Sequence, residues 1–214
     1  MIGSRRHPNA PQAAAEIIEG FKILSTSIIS DSLDRMPGAK GLRPFHKGGA
    51  MAGTAVTVMT AAGDNAAIHE ALSMVRPGDV LVIDAGGDLD RALIGELLSA
   101  IAVSRGVAGI VLDGAVRDTA ILAGLDMPVF AKGVSLRGPF KNGPGRINVP
   151  VSIGGMVVSP GDVVIGDSDG VIAFSQEIAA ELLEAANRQE AFEAGILRSI
   201  LDGSYVGAYA LKED

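Results

Sequence analysis

The 214 residues are 48% hydrophobic and carry 18 basic against 25 acidic side chains, a net charge of −7; they offer neither the positive footprint that nucleic-acid phosphates require nor the roughly 18 uninterrupted apolar residues of a membrane span. Cysteine is absent, which excludes disulfides, thiolate metal sites and a cysteine nucleophile. With 28 glycines, 4% aromatics and no tryptophan, the core must be built from Val, Ile, Leu and Ala around many turns, a composition that favours one α/β domain over residues 1–214.

The first twelve residues, with two prolines, read as a loose N-terminal arm. Nothing in Met-Ile-Gly-Ser-Arg-Arg-His-Pro resembles the apolar segment of a signal peptide, so the expected location is cytoplasmic. Helical spacing begins near Ala13 and puts Ile17, Ile18, Phe21 and Leu24 on one face. Ser25 to Asp34 offers caps for a short second helix that stops near Pro37-Gly38. After a loop, Gly53 to Thr60 alternates small polar and apolar residues as a half-buried strand does, and Asp64 is placed to cap a helix running to Val75. His69 on that helix reads as a structural histidine.

Val80 to Ile83 is a continuous apolar strand closed by Asp84-Ala-Gly-Gly-Asp88, without the G-x-G-x-x-G pattern of a dinucleotide site. Leu93, Leu97, Leu98 and Ile101 recur at helical spacing towards a C-terminal Gly106. Gly95 is odd in a helix interior: either it serves close packing, or it is the N-cap and the amides of Glu96, Leu97 and Leu98 form a seat for a carboxylate. Glu96 would then be either a first-turn charge pairing with the dipole or a functional carboxylate. Ala108 to Leu112 reads as a strand that stops at a polar turn, Asp113-Gly114, and then presents Arg117 and Asp118 side by side before a short helix, where Asp118 is either a cap or a catalytic group.

Met127 to Ala131 is a further strand. Gly133 to Pro150, rich in Gly, Pro and basic residues including Lys141, reads as a surface excursion or subunit contact rather than part of an anion site. Three strands, Val149 to Val158, Val163 to Ile165 and Val171 to Phe174, joined by tight turns, form an antiparallel half; Asp167 and Asp169 are taken as turn residues, since the remaining ligands of a calcium loop are missing. A long helix from Gln176 to Leu201 carries Ile178, Leu182, Ala185 and Phe192 as a stripe for the core or for an oligomer interface. His46, before Lys47-Gly48-Gly49, is a poor phosphohistidine candidate.

The surviving kit is an anion seat at Gly95 to Leu98, a forked cation at Arg117 and two carboxylates, Glu96 and Asp118. Such a kit suits a reaction on an oxo acid assisted by a hard ion such as Mg²⁺ or Mn²⁺. Gly95-Glu-Leu-Leu98 and Asp113-Gly-Ala-Val-Arg-Asp118, together with Ser30-Asp-Ser-Leu33, Arg76-Pro-Gly-Asp-Val-Leu-Val82 and Pro160-Gly-Asp-Val-Val-Ile-Gly-Asp-Ser-Asp-Gly-Val171, resemble the RraA-like family across nearly the whole chain. That family includes 4-hydroxy-4-methyl-2-oxoglutarate aldolases.

The resemblance implies a three-layer β/β/α fold related to swivelling phosphohistidine domains, assembled as homotrimers or homohexamers with sites at subunit boundaries. It implies that the Leu97 and Leu98 amides and Arg117 hold the pyruvyl end of a 2-oxo acid. Asp118 binds Mg²⁺ or Mn²⁺ and Glu96 assists, although family members often have Asp at that position. A carboxylate from a neighbouring subunit, with Glu190 and Glu193 as candidates, completes the site. The implied reaction is retro-aldol cleavage or decarboxylation to pyruvate through an enolate; the motif holds no lysine for a Schiff base. The family also implies an alternative, a non-catalytic regulator that binds and inhibits an RNA-degrading endonuclease. Which 2-oxo acid is used is not legible in the motifs.

Overall fold

The computed structural model describes residues 5–35 and 38–207. In chain order the elements are α1 (Ala15–Lys22), α2 (Thr26–Asp31), β1 (Arg43–Pro44), β2 (Met51–Thr60), α3 (Ala66–Leu72), β3 (Asp79–Asp84), β4 (Ala92–Ile94), α4 (Glu96–Ser104), β5 (Gly109–Val116), α5 (Thr119–Leu122), β6 (Val129–Val134), β7 (Gly145–Ile147), β8 (Val151–Ile153), β9 (Met156–Val158), β10 (Val163–Gly166), β11 (Val171–Phe174) and α6 (Gln176–Leu201). Seven strands run in the order β1-β6-β5-β3-β2-β10-β11, with β4 joined to β5 and β7 joined to β2. The centre, β6-β5-β3-β2, is parallel, and β10 and β11 extend it antiparallel.

Alternation along the parallel strands sorts side chains to two faces. Val56, Val58, Leu81, Ile83, Ile110 and Leu112 pack under α3, α4 and α5, while Ala55, Val80, Val82 and Val111 meet Val151, Ile153, Met156 and Val158 of the β8–β9 hairpin. A third cluster seats Phe21, Leu24 and Ile29 with Ala179, Leu182 and Ala186 of α6 on β10 and β11. The layers are helices, sheet and a second small sheet, the mixed α/β, β/β/α arrangement that the resemblance implies.

Several local expectations are corrected. β2 is buried on nearly its whole length rather than on one face, because both sides of the sheet are covered; its threonines are accommodated by bonds, Thr57 Oγ1 donating to Val149 O at 2.6 Å and Thr60 Oγ1 to Asp64 O at 2.7 Å. Leu93 lies in β4, and Leu97, 76% exposed, is off the buried face of α4, so that helix starts one turn later than the leucine spacing suggested, with Gly95 as its N-cap, the second of the two readings of that glycine. Asp113-Gly114 is no turn. β5 runs through it to Val116, with a register skip against β6 between Leu112 and Ala115, and Asp113 turns to the hairpin side, accepting from Lys132 Nζ and Gly154 N at 2.9 Å each. Of the stripe expected on α6, Leu182 is buried but Ile178 and Phe192 are exposed: the buried face is Ala179, Leu182 and Ala186, which Ile178 does not share and beyond which the helix, Phe192 included, is no longer covered.

Other expectations hold. Ser25 caps α2, and Asp167 is a turn residue whose Oδ1 accepts from Asp169 N at 2.9 Å, while its carboxylate also accepts from Thr26 N at 2.8 Å and Thr26 Oγ1 at 2.7 Å at the start of α2. Gly106 (φ +70°) follows the last turn of α4 in the left-handed conformation. His46 is structural, its Nδ1 3.2 Å from Val129 N. The N-terminal arm is an exception: residues 1–4 lie outside the described residues, and the rest is tied down rather than loose, His7 N donating to Ile147 O, Asn9 Nδ2 to Met74 O and Gln12 Nε2 to Asp79 Oδ1.

Candidate active site

Two strand ends build the site. β4 and β5 run parallel, and Arg117 N extends the pairing by donating to Ile94 O at 2.9 Å, so Gly95, just past β4, lies beside Arg117 and Asp118, just past β5. The approach is close enough that a Cβ on Gly95 would overlap Asp118 Oδ2 and come within 2.9 Å of Arg117 Cγ. Gly95 has extended dihedrals (φ −154°, ψ −161°), so the residue is required there by space and not by backbone strain.

Asp118 occupies the cap position of α5 in the left-handed region (φ 55°, ψ 40°), yet its side chain makes no bond to that helix. It reaches across to α4 instead, where Oδ2 accepts from Glu96 N at 2.9 Å. Held this way, it stands 3.7 Å from Arg117 Nε. The next two amides of α4, Leu97 and Leu98, have no carbonyl acceptor within their own helix, as in any first turn. The terminal amino groups of Arg117 have no protein acceptor among the described residues, which leaves a planar fork for a ligand carboxylate or enolate.

The structure thus brings all six expected residues, Gly95, Glu96, Leu97, Leu98, Arg117 and Asp118, to one cleft of ≈ 90 Å³. It also brings residues that the sequence reading did not place in a site: Asn65 at the N-cap of α3 and His69 in its last turn, and Pro139 and Lys141 from the 137–143 loop. That loop was expected to be a surface excursion. It is instead pinned to the cleft, because Asp64 Oδ2 accepts from Asn142 N at 2.6 Å and Gly143 N at 3.0 Å, and Arg91 donates to Gly138 O at 2.7 Å while stacking 3.9 Å over Phe140. Glu190 and Glu193 lie on α6 and do not line the cleft within one chain; Glu193 accepts from Gln189 Nε2 at 2.6 Å.

Partial burial and the nearby Lys141 charge lower the His69 pKa, so its imidazole is neutral at neutral pH. Asn65 is 4% exposed; its Nδ2 donates to Leu93 O at 3.1 Å, which fixes the amide, and its Oδ1 is buried without a partner among the described residues. Leaving a buried acceptor unsatisfied costs about 1–3 kcal/mol.

Apart from the single imidazole of His69, the side chains of the cleft offer a metal hard oxygen donors. Asp118 Oδ1 has no protein partner among the described residues and Glu96 is exposed at the rim, while no group of three His, Asp or Glu able to hold an ion occurs among the described residues. An ion such as Mg²⁺, which typically takes one or two carboxylates and keeps several waters, fits this sparse set; Zn²⁺, which favours nitrogen and sulfur ligands, does not.

The Aldolase/RraA profile matches residues 26–173, taking in both strand ends and the cleft. The chain belongs to the RraA-like family. A protein of Halalkalibacterium halodurans named "Putative 4-hydroxy-4-methyl-2-oxoglutarate aldolase" is 38% identical over 192 residues, which cover 89% of this chain and 91% of the relative. Among solved RraA-like structures, Streptomyces coelicolor RraAS2, described as an unusual member of the RNase ES inhibitor RraA protein family, superposes with a TM-score of 0.78 at 27% identity, covering 86% of this chain and 97% of its own. An uncharacterized protein from Pseudomonas syringae pv. tomato reaches 0.81 at 26% identity over 91% of this chain and 96% of that one.

Proposed function

We propose that this RraA-like protein is a divalent-metal-dependent lyase that cleaves or decarboxylates a 2-oxo acid to pyruvate, with 4-hydroxy-4-methyl-2-oxoglutarate and oxaloacetate as substrates. The observation that carries the reading is the convergence on one cleft of the Arg117 fork, the Leu97 and Leu98 amides and the Asp118 carboxylate. The aldolase name of the H. halodurans relative supports it.

In this reading the substrate carboxylate lies on the Leu97 and Leu98 amides, where the helix dipole favours negative charge. Arg117 donates to the keto oxygen, whose charge grows as the enolate forms; a donor placed in advance stabilises that charge without reorganisation. Asp118, oriented by Glu96 N, would hold Mg²⁺ or Mn²⁺, and Glu96 at the rim would assist through the ion's waters. The ion, when bound, supplies Lewis-acid polarisation of the 2-oxo group. Asp118 also keeps the Arg117 guanidinium turned along the cleft, from 3.7 Å. The protein acts as a cytoplasmic homotrimer or homohexamer, and a solution mass of one 21.8 kDa chain would refute that assembly.

The test is pyruvate release from 4-hydroxy-4-methyl-2-oxoglutarate and from oxaloacetate with Mg²⁺ or Mn²⁺, then with excess EDTA. The expected result is EDTA-sensitive pyruvate. No pyruvate from either acid overturns the lyase reading and turns attention to inhibition of an RNA-degrading endonuclease, the property in the description of the S. coelicolor neighbour.

A further inference from the structure

The cleft described above is rich in donors, and Asn65, which lines it, carries a buried acceptor with no partner among the described residues. Arg117, Lys141 and the Leu97 and Leu98 amides all point to anionic or carbonyl oxygens of a ligand. Asn65 Oδ1 asks for the opposite. It is buried, it lacks a partner, and it cannot exchange places with the amide nitrogen without giving up the bond from Nδ2 to Leu93 O. The other buried acceptor in this condition, Asn148 Oδ1, is on a residue that does not line the cleft and whose Nδ2 ties down His7 O and Asn9 Oδ1.

A carboxylate or a keto oxygen cannot satisfy Asn65, because neither carries a proton to donate. In a 4-hydroxy-2-oxo acid the one neutral donor is the hydroxyl on the carbon that is cleaved away. We propose that Asn65 Oδ1 receives the hydroxyl of a 4-hydroxy-2-oxo acid and so makes the cleft selective for aldol substrates over oxo acids without that group. The inference rests on the lyase reading for the direction in which the substrate lies.

The chemistry is consistent with such a contact. In the retro-aldol step the bond between carbons 3 and 4 breaks, its electron pair forms the pyruvate enolate, and the hydroxyl proton departs to water as the carbon–oxygen bond becomes a carbonyl. One proton then returns to the enolate carbon, so atoms and electrons balance without a further reactant. Asn65 accepts the hydroxyl hydrogen bond and aligns that oxygen; as a neutral amide it takes no proton. Oxaloacetate has no hydroxyl at this carbon, and its decarboxylation has no use for Asn65.

Asn65→Leu removes the acceptor while keeping the branching and heavy-atom count of the side chain, and Asn65→Asp restores an acceptor at the same place. The expected result for Asn65→Leu is a fall of about tenfold to a hundredfold in kcat/KM for 4-hydroxy-4-methyl-2-oxoglutarate, with oxaloacetate decarboxylation changed less than about threefold and the aldol rate partly recovered in Asn65→Asp. Oxaloacetate turnover reports folding, since a disrupted cleft loses both reactions. Equal losses on both acids, or no loss on either, overturn the inference. A second readout needs no turnover: wild type should gain more melting temperature from 4-hydroxy-4-methyl-2-oxoglutarate than from 4-methyl-2-oxoglutarate, and Asn65→Leu should lose the difference. If wild type releases no pyruvate from either acid, the lyase reading is what fails, and the melting difference alone decides for or against Asn65.

Discussion

Asp118 shows how one side chain can be both structural and chemical. Its carboxylate replaces a missing acceptor at the start of α4 and by the same bond is fixed beside Arg117. The sequence made the Arg117-Asp118 pair legible, since a strand end followed by a charged pair is a local pattern. It left open whether Asp118 was a cap, and the answer is that it caps a helix 22 residues earlier in the chain. Asn65, His69 and Lys141 were not legible as site residues, because they reach the cleft only through the docking of α3 and of the 137–143 loop. Gly95 follows from the same geometry. Gly95→Ala should push Asp118 and Arg117 off their positions and lower kcat/KM for pyruvate release by about a hundredfold, the scale of a misplacement near 1 Å, while circular dichroism stays that of wild type. Wild-type activity in the Gly95→Ala protein would show that the close approach is slack.

Among the elements, β2 carries the most. It pairs with β3, β10 and β7 and has cores on both faces. Its period of two was legible, but burial of both faces was not, since covering depends on the distant β8–β9 hairpin. The same limit explains α4, where a run of leucines at helical spacing straddles a strand and a helix, and α6, whose apolar residues were read as one stripe although only its first part is covered. Long, strongly patterned segments were the legible ones: the bounds of α6 and the turns before β10 and between β10 and β11 match because caps and tight turns are written locally, whereas Val149 to Val158, read as one strand, is the β8–β9 hairpin turning at Gly154-Gly155. Gly53 on β2 has no room for a side chain: a Cβ there would overlap Gly78 O and come within 2.9 Å of Val80 Cγ2. Backbone cannot yield as a flexible side chain does, so Gly53→Ala should cost at least about 1–3 kcal/mol in urea unfolding. A loss below a few tenths of a kcal/mol would mean that β2 shifts freely against β3.

At the scale of the molecule, the fold sets a rigid parallel sheet behind a cleft made from strand ends and helix starts, where loops can carry chemistry while the strands keep them in place. No helix among the described residues is long and apolar enough to cross a membrane. Phe192, Leu197, Ile200 and Leu201 leave the far half of α6 with exposed apolar surface, which accords with the proposed assembly of several copies. In the proposed reaction the positive fork at Arg117 stabilises an enolate in that assembled protein. The most direct measurement is the rate of pyruvate formation from 4-hydroxy-4-methyl-2-oxoglutarate by Arg117→Ala and by wild type at the same Mg²⁺ concentration. Removing such a donor should lower kcat by about 10²–10³-fold with folding and assembly unchanged, whereas a rate within a few-fold of wild type would contradict the account.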